Sequence, residues 1–300
     1  MDMTQNKCCR HGASLRRRRR RRRKILRSII FSCSIIAVAV FVAVGSSMIR
    51  SGDGRTNRYD VEAGNNTYDN AVIENSKISG KNKIQNNQSM LDDIMNSTQY
   101  PKQLKDLALK NEEALEFVYD YPAEHVKEHT IDLTEEASMD SVPLFVQWDK
   151  RWGYEKYSGN FFAASGCGPT TLSMVVVYLT HNREASPIAV AKYSKEAGYS
   201  VDGSGSSWTL ISEGCMHYGV KAKAVALDES RMKAELDEGH PIVVNVGPGD
   251  FTDTGHFMVI TGYDDEGFSI NDPNSIEKSG KRWLFKNISS QIRAVWSMYV

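Results

Sequence analysis

Three residues in the second half of the chain have the types and settings for acyl transfer by a thiol: Cys167, His256 and Asp272. Cys167 stands in "SGCGPTT", residues 165–171, where a glycine-flanked loop gives way to an abruptly apolar run over 172–181. A helix predicted to begin at about Gly168, with Pro169 suited to its first turn, puts the thiol at the positive end of the helix dipole. That placement favours the thiolate, the form that attacks a carbonyl carbon. The flanking Gly166 and Gly168 leave room for another backbone to approach, as a substrate requires. A nucleophile needs a base, and His256 in "TGHFMVITGYD" opens an apolar strand directly after a glycine. Asp272, in "SINDPNS" at the end of the next strand, is the candidate to fix the imidazole tautomer and stabilise the imidazolium. Donors for an oxyanion are the backbone N–H of Cys167 and the side-chain amide of Gln147, which follows a strand-like run in "VPLFVQWDKRWG".

Each residue also has a structural reading. Cys167 and Cys215 are the only cysteines after residue 50, so a disulfide between them is one alternative. Cys215 has a place of its own, because Trp208, Ile211, Cys215 and Tyr218 fall on one face of a helical stretch over 207–218. His125 and His129 lie in a polar region, and His181, His217 and His240 near the ends of elements. Asn-Asp-Pro-Asn is good turn chemistry as well as an acid in context. Trp148 and Trp152 read as core anchors. A two-residue turn at 265–266 would pair Asp272 with Val259, on the face opposite His256. The triad therefore requires an odd offset in that hairpin, and a bulge is predicted.

Residues 142–300 are enough for one core. Strands are predicted at 220–226, 241–246, 256–263 and 268–271, with a helix over 229–238 and a hairpin formed by the last two strands. Helices early and strands late indicate an α+β domain with a mostly antiparallel sheet. Residues 91–141 read as a helical extension. In it Leu104, Leu107, Ala108, Leu115 and Val118 recur at helical spacing, giving one helix or a broken pair to about Asp120, halted by Pro122. Residues 50–90, rich in Asn, Ser, Gly and Lys, read as a disordered stalk.

The formal charge of zero averages two unlike parts. Residues 1–50 hold 13 of the 37 Lys and Arg but only Asp2 among the acids, which leaves 24 against 36 in the rest. Residues 1–27 form an Arg-rich tail, and 28–49, "SIIFSCSIIAVAVFVAVGSSMI", carry no charge. As a helix that segment is about 33 Å long, enough to cross a membrane. The arginines before it keep the tail cytoplasmic and put the acidic remainder outside the cell. The alternative is a secretory signal cleaved near Gly45, which exports the same domain. Beside a membrane span the basic run serves topology and lipid-headgroup contact, so nucleic acid is not expected.

"KCCRH" (7–11) lacks a complete ligand set, so no metal is expected, and Cys8 and Cys9 read as acylated or inert. "DGSGSSW" (202–208) lacks the Lys-Ser/Thr of a phosphate loop, so no nucleotide cofactor is expected. That segment and "NVGPGDFTDTG" (245–255) are the candidate walls of a cleft.

"VPLFVQWDKRWG", "SGCGPTTLSMV", "GHFMVITGYD" and "INDPNS", in this order across 142–300, together resemble the C39-like peptidase family of the papain-like superfamily. The resemblance implies a papain-like α+β fold, in which a helix carrying the cysteine packs on an antiparallel sheet carrying histidine and aspartate. It implies Cys167 as nucleophile, His256 as base, Asp272 as orienting acid and Gln147 as the oxyanion-hole amide. It also implies a cofactor-free thiol peptidase acting on a peptide or protein, including cell-wall peptide. Two features depart from the related bacteriocin-transporter peptidases. Their glutamine lies only a few residues before the cysteine, whereas Gln147 lies twenty upstream. They also act on double-glycine leaders in the cytoplasm, fused to a transporter, and that substrate does not carry over. Peptidoglycan amide hydrolysis and transpeptidation share the same chemistry, although the Asp-Cys-Ser-Gly motif of NlpC-type enzymes is absent. A non-catalytic surface binding module on the same fold is the alternative from another class.

Overall fold

The computed structural model describes residues 83–300, all within one compact unit. The expected tail, membrane span and most of the stalk lie outside the described residues. Among the described residues no helix is long and apolar enough to cross a membrane.

The described part opens in helix α1, residues 83–96, so residues 83–90 are helical where stalk was expected. Tertiary packing anchors the C-terminal half of this helix. Ile94 is fully buried in a cluster with Leu104, Ala114, Leu115 and Val118, and Met90 and Leu91 pack against it. Helix α2, Lys102–Lys110, buries the predicted Leu104, Leu107 and Ala108. The break in the expected pair comes at Asn111, whose side chain caps a 3-10 turn at Glu112–Ala114 before a short helix at Leu115–Tyr119. That short helix is capped at Asp120, as expected before Pro122, but the proline does not end helical structure altogether. It sits in the first turn of a further short helix, Tyr121–Glu124, where its missing N–H has no cost. The same cluster takes in Phe161 and Ala163, so the extension and the segment after Val142 share a core.

Residues 142–147, expected to be strand-like, form no strand. Asn271 Nδ2 donates to the carbonyls of Val142 (3.1 Å) and Pro143 (3.0 Å) and lays this segment along the sheet. Trp152 is a core anchor as expected, 1% exposed, with Nε1 donating to Val146 O. Helix α3, Cys167–Thr180, is buried at every position from Gly168 to Val177. A helix apolar all round must be covered all round, and α3 is the central rod of the domain. Helix α4, Pro187–Glu196, was not foreseen. Its signal was the Ser-Pro start, since the Ser186 hydroxyl accepts from Ala189 N and Pro187 occupies the first position.

The helical stretch expected at 207–218 is two short pieces, Thr209–Ser212 and the 3-10 turn Gly214–Tyr218. Ile211 and Cys215 are fully buried, but Trp208 is 48% exposed and leaves the face assigned to it. Helix α5, Glu229–Asp237, matches its expected place.

The six main strands are β1 (Lys221–Ala224), β2 (Ile242–Val246), β3 (His256–Asp264), β4 (Gly267–Asn271), β5 (Arg282–Trp283) and β6 (Ile292–Tyr299). They form one antiparallel sheet in the order β1-β6-β2-β3-β4-β5. Strand β6, unforeseen, sits between β1 and β2. One sheet face carries Val243, Phe257, Val259, Trp296 and Met298 against α3. The other carries Val244, Met258, Ile260, Phe268 and Ile270 against Met232 of α5 and Ile288. Burying each such side chain contributes about 1.5–3 kcal/mol, so helix and sheet hold one another rigidly. The result is the α+β, antiparallel architecture expected from the sequence.

Candidate active site

The β3–β4 hairpin carries two of the candidate residues, and its register decides whether they meet. Asp264 pairs with Gly267 across the two-residue turn, but Ile260 pairs with Ile270 and Gly262 with Ser269, leaving Thr261 as an extra residue. This is the predicted bulge. Beyond it Val259 pairs with Asn271, which brings Asp272 level with Met258 and onto the face of His256. His256 Nε2 and Asp272 Oδ1 are 2.6 Å apart, both buried. The Asn274 N–H adds a 2.8 Å bond to the same carboxylate oxygen. Asp272 Oδ2 is buried with no partner among the described residues.

Helix α3 begins at Cys167 itself, one residue earlier than expected. Its first-turn N–H groups have no carbonyl four residues back in the helix, so they favour negative charge at the sulfur. The hydroxyl of Thr171, one turn on, donates to Phe257 O at 3.1 Å and ties the thiol-bearing helix to the residue beside His256. Asn245 Nδ2 donates to His256 O at 3.2 Å from β2. Neither was singled out from sequence, although each left a signal: a hydroxyl in a buried apolar helix, and a lone amide in "IVVNV". The flanking glycines serve a different purpose from the one expected. A Cβ on Gly166 would meet the Phe162 ring at 2.6 Å, and one on Gly168 would meet Ser206 Oγ at 2.6 Å. They accommodate the protein's own side chains rather than an incoming backbone.

Cys167 and Cys215 are both free thiols. Burial opposes the charge on Cys167, but the hydrogen bond and charge of His256, with the Phe257 and Gly168 backbone, hold the thiol below its ordinary value. Burial alone would lower His256. The Asp272 carboxylate, joined by the Cys167 sulfur, overrides it and pushes the imidazole up to about 10. The two shifts describe a thiolate–imidazolium pair with Asp272 on Nε2, leaving Nδ1 as the ring nitrogen for the thiol. At Cys215, by contrast, burial pushes the thiol up to about 11.

Gln147 is buried, and its Nε2 donates to Ala163 O at 2.7 Å. One of its two N–H bonds is thus already used, which leaves one for an oxyanion. Its backbone N–H donates to Pro273 O at 2.7 Å, tying Gln147 to the loop that carries Asp272. Two cavities meet at Cys167. One, of about 680 Å³, is bounded by Gly203, Ser206, Trp208, Pro248 and Arg293. The other, of about 490 Å³, is bounded by Lys110, Gln147, Asp253, His256 and Asn274. Both predicted walls line this cleft. The 202–208 segment does so as a hairpin in which Ser200–Val201 pairs with Gly205–Ser206.

A family model described as "Peptidase_C39 like family" matches residues 139–300. Among solved structures, the peptidase domain of Streptococcus ComA, a bi-functional ABC transporter involved in a quorum sensing pathway, is 20% identical. That match covers 45% of this chain and 90% of that one, with a TM-score of 0.37. A protein from Bacillus anthracis described as a C39-like peptidase is 16% identical over 53% of this chain and 95% of that one, with a TM-score of 0.34. No curated protein matches the chain.

Proposed function

We propose a function from one premise: the chain belongs to the Peptidase_C39 like family, whose model covers residues 139–300. The family is one of peptidases, and this member is a cysteine peptidase-like hydrolase that cleaves an amide through Cys167, His256 and Asp272. The observation that carries this reading is the buried His256–Asp272 hydrogen bond at 2.6 Å, with the imidazole acting on a thiol at a helix start in an open cleft.

The chemistry follows from the positions. The Cys167 thiolate attacks the amide carbon, and the carbonyl electron pair moves to oxygen, where the Cys167 N–H and the remaining N–H of Gln147 are the candidate donors. As the C–N bond breaks, the imidazolium Nδ1 gives its proton to the departing amine, leaving a thioester. Water then loses a proton to Nδ1 and attacks the thioester. Collapse of that intermediate releases the acid and restores the thiolate. Asp272 holds the ring throughout. The substrate reading is a peptide or protein chain lying across both cavities.

A thiol-directed affinity probe tests this reading on the full chain. Within residues 51–300, whose peptides are read separately from those of the first fifty residues, labelling is expected at Cys167 alone, because Cys215 is both buried and held protonated. It should disappear in Cys167→Ala and fall about a hundredfold or more in His256→Ala. Equal labelling of both cysteines, or labelling indifferent to His256, would favour a non-catalytic binding module.

The domain acts outside the cell, held by residues 28–49 as a single span with the Arg-rich tail in the cytoplasm. The uncharged segment and the arginine run before it support this. A membrane-impermeant amine reagent applied to intact cells should modify the domain and spare the tail. Modification only after lysis would reject this placement.

A further inference from the structure

Asn111 and Glu113 precede the family-matched segment, yet both end on the loop that carries Asp272. Asn111 Nδ2 donates to Asn274 O at 2.9 Å and to Asn274 Oδ1 at 3.1 Å. Its own Oδ1 accepts from Glu113 N at 3.0 Å, so the amide is fixed at both ends. The Glu113 carboxylate accepts from the Ser275 hydroxyl, from Ile276 N at 2.7 Å and from Glu277 N at 3.1 Å. Such charge-assisted bonds are among the stronger ones a loop can receive. Between these two grips lies Asn274, whose N–H meets Asp272 Oδ1, the oxygen that also takes His256 Nε2. Because Oδ2 has no partner among the described residues, the aim of the carboxylate rests on Oδ1 and on the loop itself.

We propose that Asn111 and Glu113 form a clamp that positions the triad acid and thereby sets the proton affinity of His256. The proposal rests on the reading of Cys167, His256 and Asp272 as one catalytic unit. It extends that unit upstream of residue 139. Helix α2 reinforces the extension, since Gln103, Asp106 and Lys110 wall the 490 Å³ cavity that Cys167 and His256 share. Neither Asn111 nor Glu113 touches the reacting atoms. Each acts through the loop, by holding Asp272 against the imidazole.

The test is the pH dependence of Cys167 alkylation by iodoacetamide in the full chain, followed alongside thermal unfolding. The unsubstituted chain should show two inflections, the thiol below its usual value and the imidazole near 10. Asn111→Ala, the near-isosteric Glu113→Gln and the pair together should each move the upper inflection down, the pair by about one pH unit or more. Glu113→Asp should recover part of the shift. Leu104→Ala, which loosens the extension from within its core, should lower the unfolding temperature and leave both inflections in place. Unmoved inflections in the pair, or an equal shift in Leu104→Ala, would overturn the clamp. A single ordinary thiol inflection in the unsubstituted chain would overturn the peptidase reading and the clamp with it.

Discussion

Replacing Cys167 by alanine is expected to lower hydrolysis of a mixed fluorogenic peptide library by about four orders of magnitude or more. Deleting the nucleophile of a catalytic triad removes the covalent route, and only binding and oxyanion donors remain to assist water. The fold should survive, because alanine suits the first turn of α3 and the Cys167 side chain is only partly covered. Unfolding temperatures within a few degrees of one another would show that the loss belongs to the chemistry. A variant that kept more than about one hundredth of the original rate would sink the thiol mechanism. In that event a group other than the thiol would carry the hydrolysis.

Asp272→Asn should produce the second large effect, and its sign can be worked out from the site. In the unsubstituted chain Asp272 overrides burial and raises His256 to about 10, so the imidazolium persists across the neutral range. The same cation keeps the Cys167 thiol ionised below its ordinary value. The ion pair therefore exists from the lowered thiol pKa up to the raised imidazole pKa, and the rate should follow a bell between those limits. Asparagine removes the charge but not the volume. Burial then pulls the imidazole below its ordinary value, and the thiol loses its counter-ion and rises. The two limbs close on each other, with the alkaline limb moving acidward by several pH units. Near neutral pH the rate should fall by about two to four orders of magnitude. An alkaline limb that stays near 10 in Asp272→Asn would show that another group sets it.

The exposed Trp208 illustrates how far helical spacing alone can be read. Spacing placed it with Ile211 and Cys215, and those two are buried. The stretch, however, is two short turns broken at Glu213, and Trp208 is the cap residue ahead of the first turn, so it leaves the face that Ile211 and Cys215 share. It stands instead at the cleft, edge-on to Trp296 at 6.0 Å. Strand β6 was missed for a different reason. The segment 292–299 has buried residues on both sides, from Val295 to Met298, and so shows no clean alternation. Its place between β1 and β2 was likewise beyond reach of local pattern, because strand order is decided by which buried faces fit together.

What the sequence determined by itself was the set of candidate residues for the proposed chemistry and their order along the chain. A glycine-flanked thiol at the start of an apolar helix, a histidine opening one strand and an acid ending the next required only residue types and local spacing. The same local rules gave helix α5, strands β2 to β4 and the need for a bulge. The location of that bulge was a tertiary decision. Strand β3 is apolar on both faces, with Phe257 and Val259 on one and Met258 and Ile260 on the other, so its pattern does not fix a register. Register is settled when Phe268 and Ile270 join Met258 and Ile260 over α5, while Asn271 on the opposite face holds the carbonyls of Val142 and Pro143. Thr261 is then the residue left over, and Asp272 comes to face His256. The grip of Asn111 and Glu113 on that aspartate's loop, across more than 160 residues of chain, belongs to the same class. Contacts at such separation leave no local trace, since folding brings together what sequence spacing keeps apart.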